Sequence, residues 1–277
     1  MKNENIDLKT VNSFGEEWAR FDQSEAPEAE LRRFFDEYFY VFPWDKLPEK
    51  PHGFDMGCGS GRWANFVAPR VDKLHCIDPS EQALAVARKN LSTHANVELY
   101  HASVDTVPLP TASLDFGYSL GVLHHIPDTQ AALAQCVRLL KPNAPFLVYL
   151  YYRFDNRSLA FRLIWAASDV LRKAISSLPQ TAKTRTTDIL AALVYWPLAR
   201  TCKLLEGLGL NAKSIPLYAY RNASFYTMRT DSLDRFGTPL EHRFTRAEIQ
   251  AMMEQAGLRD ITFSPNAPYW CAVGFKA

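Results

Sequence analysis

Four glycines fall within the ten residues GFDMGCGSGR, from Gly53 to Arg62, at the point where a short apolar run gives way to a helical pattern. Gly57, Gly59 and Gly61 alternate there, and a backbone so bare can take left-handed angles and lie against a ligand with no Cβ in the way. A helix start beyond such a turn directs main-chain N–H groups outward, which suits a nucleotide-like cofactor. Asp78 closes the next apolar run in LHCIDPS, twenty-one residues after Gly57, where an acceptor-only carboxylate can receive two ribose hydroxyls. Alone, Asp78 reads equally as a turn with Pro79 and a cap for the next helix. Coupled to the glycine turn, it reads as a ligand contact. LDFGYSLGVLHHIPD adds His124 and His125, and APFLVYLYY ends on Tyr151 and Tyr152. A histidine titrates near working pH, so His125 is a candidate general base for a hydroxyl acceptor, whereas His124 reads as packing or capping. Strand alternation sends one of Tyr151 and Tyr152 towards the site and the other into the protein.

The elements that must hold these residues follow from hydrophobic periodicity. HGFDM, VDKLHCID, NVELYHA, LDFGYSL and APFLVYLYY read as strands, separated by helical patterns over 62–69, 80–90 and 129–140, the alternation of a parallel sheet. LRDITFSP and YWCAVGFKA close the chain, and the Pro-Asn-Ala-Pro turn between them is too short for a crossover helix, so they pair antiparallel. TRAEIQAMMEQAGL carries a capping box, Thr245 with Glu248, and stops at Gly257. Four regions result: a helical, aromatic-rich extension or lid over 1–50, a cofactor-binding core over 51–152, an insert over 153–240 and a C-terminal return to the core over 241–277. The insert is too long for a loop and holds two apolar helical stretches, 158–175 and 187–208.

A dinucleotide fingerprint needs a glycine at the sixth position of its turn, but Arg62 stands there, which disfavours NAD and FAD. With Asp55 ahead of the turn, D-x-G-C-G-S-G resembles the first motif of class I S-adenosylmethionine-dependent methyltransferases, and the likeness runs through most of the chain. The resemblance implies an α/β, Rossmann-like fold: a seven-stranded, mostly parallel sheet with an antiparallel last strand, a helical N-terminal extension and a large helical insert after the fifth strand. It implies S-adenosyl-L-methionine as cofactor, its amino acid end received by Asp55 and the Gly57, Cys58, Gly59 and Gly61 backbone, its ribose by Asp78 beside Pro79. Ser103 and Val104 fall where many members place an Asp or Asn for the adenine amine, a departure from the pattern. Ser119 and Leu120 lie beside the cofactor in such proteins, with His124 packing under it. The N-terminal aromatics and the insert would exclude water, with Trp18 as the lid residue.

Composition narrows the partners. Lys plus Arg (31) nearly cancels Asp plus Glu (30), and no appended RNA-binding module is visible, so nucleic acid is not expected. Between Arg153 and Lys213, however, ten basic residues face four acidic ones. Such an insert suits a small, anionic acceptor (phosphorylated, nucleotide- or lipid-linked), a merely solvated helix surface, or a peripheral contact with a membrane. Tyr152, Tyr226, Arg229 and His242 are the acceptor-facing candidates, with a structural salt bridge as the equal alternative for Arg229. Five scattered cysteines give no zinc spacing, no metal is assigned, and MKNENIDLKTVNSFGEEW lacks the pattern of a secretory signal, so a cytoplasmic setting is expected. The function expected is methyl transfer to oxygen or nitrogen of a small metabolite; the alternative is a non-catalytic, membrane-peripheral cofactor-binding scaffold. Oligomeric state is not legible.

Overall fold

A computed structural model describes residues 5–277 and divides the chain into two compact units. The first comprises residues up to Asp22, Arg32–Asp155 and Leu240–Ala277; the second comprises Gln23–Leu31 and Asn156–Pro239. The N-terminal extension is therefore shared between the two, and the second unit takes Asn156–Pro239 from the insert.

In the first unit, helix α1 (Leu8–Arg20) and the bulk of α2 (Glu28–Tyr38) precede β1 (His52–Met56), a short α3 (Ala64–Val67), β2 (Lys73–Asp78), α4 (Glu81–Asn90), β3 (Val97–His101), β4 (Phe116–Leu120), α5 (Thr129–Leu139) and β5 (Pro145–Tyr149). The described residues form one seven-stranded sheet in the order β3-β2-β1-β4-β5-β7-β6, completed by β6 (Leu258–Phe263) and β7 (Cys271–Lys276). The first five strands pair parallel, whereas β7 runs antiparallel to both β5 and β6. Strand order reverses between β1 and β4, which opens a crevice beyond their carboxyl ends.

Residue types explain the pairing. HGFDM and FGYSL are buried on both faces, as central parallel strands must be, while VELYH at the edge is half exposed. Gly53 is bare for a reason unrelated to any ligand: a Cβ there would strike the Phe116 ring, and one at Gly117 would strike Phe54, so each phenyl ring lies over the glycine of the neighbouring strand. Phe54, Ile77, Leu123, Leu133 and Phe146 belong to the core between sheet and helices. The aromatics ahead of β1 extend it, with Phe39 edge-on to Tyr118 at 5.2 Å and Phe42 edge-on to Phe116 at 5.9 Å. Helix α10 (Arg246–Gln255) opens on the expected Thr245–Glu248 capping box, and Gly257 follows it with φ +90°.

The second unit holds α6 (Leu159–Ser176), α7 (Gln180–Leu190), α8 (Trp196–Gly207) and α9 (Phe225–Gly237). The expected helix at 187–208 begins earlier, because QTAKTRTT carries too few apolar residues to show its period. A π-turn over Ala191–Tyr195 joins α7 to α8, and Pro197, which has no N–H to give the ladder, sits in the first turn beyond it. Ile175, Tyr195, Met228 and Phe236 pack at its centre, and the buried Arg172 pairs with Asp169 at 2.7 Å and donates to the Thr238 carbonyl at 2.9 Å.

Candidate functional site

The glycine turn sits at the carboxyl end of β1. Gly57, Gly59 and Gly61 all have positive φ (+81°, +54° and +77°). The turn is locked by its own main chain: the N–H groups of Gly57 and Cys58 donate to the Ile77 carbonyl at 2.8 and 3.0 Å, and Gly61 N–H donates to Cys58 O at 2.8 Å. Gly59 N–H donates to Asp78 Oδ2 at 2.9 Å, and Ser80 N–H donates to Asp78 Oδ1 at 2.8 Å. The N–H groups of these four turn positions are thus each engaged inside the protein. A pyrophosphate would find none of these four N–H groups free. It would find two buried carboxyls.

Those carboxyls define the electrostatics. Burial lifts Asp55 to about 8, helped by the charge of Asp78 and opposed by the Tyr118 hydroxyl and Arg62, and lifts Asp78 to about 6 against its two backbone donors. The Ser60 hydroxyl is buried without a hydrogen-bonding partner, and the Tyr118 hydroxyl lies against the Asp55 carboxyl. Such a site is short of positive charge, which the ammonium and sulfonium of S-adenosylmethionine carry, so the residues fit that cofactor and not a dinucleotide. Asp55 and the turn would hold its amino acid end, and the remaining lone pairs of Asp78 would accept from its ribose. Trp18 of α1 lies against the turn: a Cβ at Gly59 would come within 2.8 Å of its indole Nε1, and Arg62 stacks over its ring at 5.3 Å. Trp18 packs on the bare backbone itself.

Of the other expected contacts, Pro79 follows Asp78 directly. Ser103 lies beyond β3 with its hydroxyl 3.0 Å from Thr106 Oγ1, to which its N–H also donates, and Val104 is buried beside it in the core. Ser119 is fully buried and donates to the Met56 carbonyl at 2.8 Å, so its side chain clamps β4 to β1. Leu120 ends β4 with Gly121 at φ +78° behind it.

Beyond β4 and β5, aromatic and basic side chains converge. The His124 ring lies between His125 and Tyr151, at centroid distances of 4.0 and 3.9 Å, with Phe14 against His125 at 4.9 Å. His124 is fully buried, neither ring nitrogen has a partner, and burial holds it well below the ordinary histidine value. It is a neutral ring packed between His125 and Tyr151. His125 differs: its Nδ1 is 2.7 Å from the Leu240 carbonyl, which can only accept, so Nδ1 carries the proton and Nε2 the lone pair. That tautomer is the one a general base requires. Tyr151 turns to the histidines while Tyr152 packs on Phe154 at 4.5 Å and on Tyr269 at 5.8 Å, which settles the alternation.

His242 donates its N–H to the His124 carbonyl at 2.9 Å, and Arg243 stacks over Tyr151 at 4.9 Å while pairing with Glu241 at 2.7 Å. Arg243 is already singled out beside His242, whereas Glu241, Phe14, Tyr118 and Tyr38, the last edge-on to Tyr149 at 5.1 Å, are members of this region that spacing does not single out. For Phe14 and Tyr38 the aromatic density of SFGEEWARF and RRFFDEYFY is the signal in the sequence. Tyr226 and Arg229 belong to the second unit, where the Tyr226 hydroxyl accepts from Gln23 N–H at 2.8 Å and Arg229 pairs with Asp188 at 3.0 Å. For Arg229 the structure contains the salt bridge held as the alternative.

Residues 54–148, the stretch holding the turn, both carboxyls and the two histidines, match the protein family described as a methyltransferase domain. A ubiquinone biosynthesis O-methyltransferase of Hahella chejuensis is 26% identical over 230 residues, covering 75% of this chain and 93% of that protein. A probable S-adenosylmethionine-dependent methyltransferase of Mycolicibacterium smegmatis is 30% identical over 108 residues, 38% of this chain and 41% of the relative, so this chain spans less than half of that protein. Among solved structures, the YcgJ protein of Bacillus subtilis shares the fold at a TM-score of 0.51 and 15% identity, over 82% of this chain and 69% of that one. Sheet order, turn and matches together are those of the class I S-adenosylmethionine-dependent methyltransferase fold, with a methyltransferase domain over 54–148. The chain is similar to such proteins over these stretches, and those named S-adenosylmethionine-dependent lie among its relatives.

Proposed function

We propose that the protein transfers a methyl group to a hydroxyl oxygen of a small acceptor carrying a flat, aromatic part. The observation that carries the cofactor half is the Asp55–turn–Asp78 arrangement, in which the Gly57, Cys58, Gly59 and Gly61 N–H groups are engaged and two buried carboxyls suit a cationic ligand. When bound, the cofactor supplies an electrophilic methyl on a sulfonium. What this chain adds is position and a proton acceptor: holding the partners in attack geometry contributes roughly 7 to 11 kcal/mol, and a base contributes about 10² to 10⁴-fold. His125 Nε2 takes the hydroxyl proton as the oxygen–methyl bond forms, and the Leu240 carbonyl keeps the ring in the required tautomer.

Tyr151, Phe14 and Tyr38 support an aromatic acceptor, and the Hahella relative is named an O-methyltransferase. Support for an anionic acceptor is weaker than the charge count suggests, because Arg172, Arg200, Arg221 and Arg229 are engaged with Asp169, main-chain carbonyls, Glu206 and Asp188 within the second unit. The test is incubation with cofactor bearing a CD3 group and a fractionated small-molecule extract, followed by mass spectrometry. A labelled phenol or related hydroxyl compound is the expected product. Label appearing only on nitrogen compounds would contradict the oxygen reading, and no label in any fraction would contradict turnover.

A further inference from the structure

Helix α6 presents the wrong face to water. Its inward side carries Phe161, Trp165, Ser168, Asp169 and Arg172, with Asp169 and Arg172 paired at 2.7 Å and Arg235 3.8 Å from the same carboxylate. Its outward side carries Leu159, Leu163, Ile164, Val170 and Leu171. At about 3.6 residues per turn these five fall within one arc of about 140°. Leu159 is 69% exposed and Val170 71%. A helix of a water-soluble domain turns its apolar stripe to the core, so an unburied stripe of this width marks an interaction surface.

The same unit repeats the feature on its next helices, where Ile189 and Leu193, four residues apart and the latter 72% exposed, are followed by the half-exposed Trp196. Nearly all of the exposed large hydrophobic side chains among the described residues lie in this unit; Leu8 and Tyr40 are the exceptions.

Charge says what covers them. Arg162 and Lys173 are exposed along one edge of the α6 stripe, Lys173 reaching back to the inward Asp169 at 3.4 Å, while Arg185, Lys203 and Lys213 are exposed elsewhere in the unit. An apolar stripe bordered by cations is the pattern of a helix that lies in a lipid headgroup layer, apolar side chains down and cations against lipid phosphates. No helix of the described residues is long and apolar enough to cross a membrane, so the contact is one of lying on the surface. We propose that the outward face of the second unit, built on Leu163, Val170, Leu193 and Trp196 and bordered by Arg162 and Lys173, docks the protein on an anionic lipid bilayer. This inference stands apart from the methyl-transfer reading, since none of its residues belongs to the cofactor site.

The test is co-sedimentation of the full chain with vesicles of phosphatidylcholine containing about a third phosphatidylglycerol, against vesicles of phosphatidylcholine alone. Binding to the anionic vesicles that falls at least tenfold in the double variant Leu163→Glu, Val170→Glu, and falls several-fold in Arg162→Glu, Lys173→Glu or at raised salt, is the expected result. S-Adenosylhomocysteine binding and the thermal melt of each variant report that it has folded. Should the leucine–valine variant not fold, the native chain decides: lipids brominated in their acyl chains quench its tryptophan fluorescence, and Trp196→Phe removes the larger part of that quenching. Sedimentation equilibrium showing that the face is covered in a dimer, with no vesicle partition, would overturn the proposal, as would equal partition of native and double-glutamate chains.

Discussion

The Asp78 carboxylate accepts the Gly59 N–H at 2.9 Å and the Ser80 N–H at 2.8 Å, so one side chain at the end of β2 fixes both the cofactor turn after β1 and the first turn of α4. Because both oxygens are already oriented by backbone donors, their free lone pairs point in directions set before any ligand arrives. That preorganisation lowers the cost of binding.

Gly59 is the position where this geometry tolerates least. With φ at +54° and the Trp18 indole 2.8 Å from where a Cβ would stand, Gly59→Ala meets both backbone strain and a ring that must move. A left-handed residue with a Cβ costs roughly 1–2 kcal/mol, so a fall of several degrees in melting temperature and a loss of S-adenosylhomocysteine affinity of at least tenfold are expected. Gly207→Ala, at the end of α8 with nothing within 4 Å of the new Cβ, is the control and leaves both unchanged or slightly improved. Equal effects from the two substitutions would remove the special role of Gly59.

Asp55 gives the ligand-free protein a pH signature. Its carboxyl rises from 3.8 to about 8 on burial, so the folded state favours the acid form. The associated stability is complete below about pH 4 and is lost as pH climbs towards 8. Asp55→Asn, which has no charge to bury, is expected to melt a few degrees above the native chain at pH 8.5 while the difference closes towards pH 4. Thermal melts across that range check it, and parallel curves would show that Asp55 is not buried as an acid.

His125 and His124 are neighbours with opposite expected behaviour. His125→Ala removes the base and should lower turnover by about 10² to 10⁴-fold while leaving cofactor affinity within a few-fold, and it should flatten the acidic limb of the pH–rate profile. His124→Phe replaces a neutral ring with no hydrogen bonds by another ring, and turnover within about tenfold of native is expected for such a swap. Steady-state kinetics of the two variants on the acceptor found by isotope labelling decide the matter. Comparable losses would mean that the pair acts only by packing.

The parts of the fold that sequence made legible were those with a strong period or a specific residue requirement. The central strands are continuous apolar runs, the capping box at Thr245 is explicit in four residues, and the Gly57–Gly61 turn has few alternative explanations. Gly53 shows the limit, since its bareness looked continuous with the turn and belongs instead to Phe116 across the strand pair. The engagement of the turn's own N–H groups is likewise invisible to local spacing, because Ile77 O and Asp78, which accept from them, come from another strand. The Arg243–Glu241 pair over Tyr151 was missed because the contact spans some ninety residues of chain. α7 was shortened because threonine-rich QTAKTRTT carries no hydrophobic period, and tertiary packing decides its helicity.

Titration calorimetry of S-adenosylhomocysteine into the native chain and into Asp78→Ala, with NAD as a third titration, tests the central assignment most directly. The native chain should bind S-adenosylhomocysteine in the micromolar range or tighter and ignore NAD, while the variant, still folded by its melt, loses at least tenfold in affinity. Heat from NAD but none from S-adenosylhomocysteine, or unaltered S-adenosylhomocysteine binding once Asp78 is gone, would contradict it.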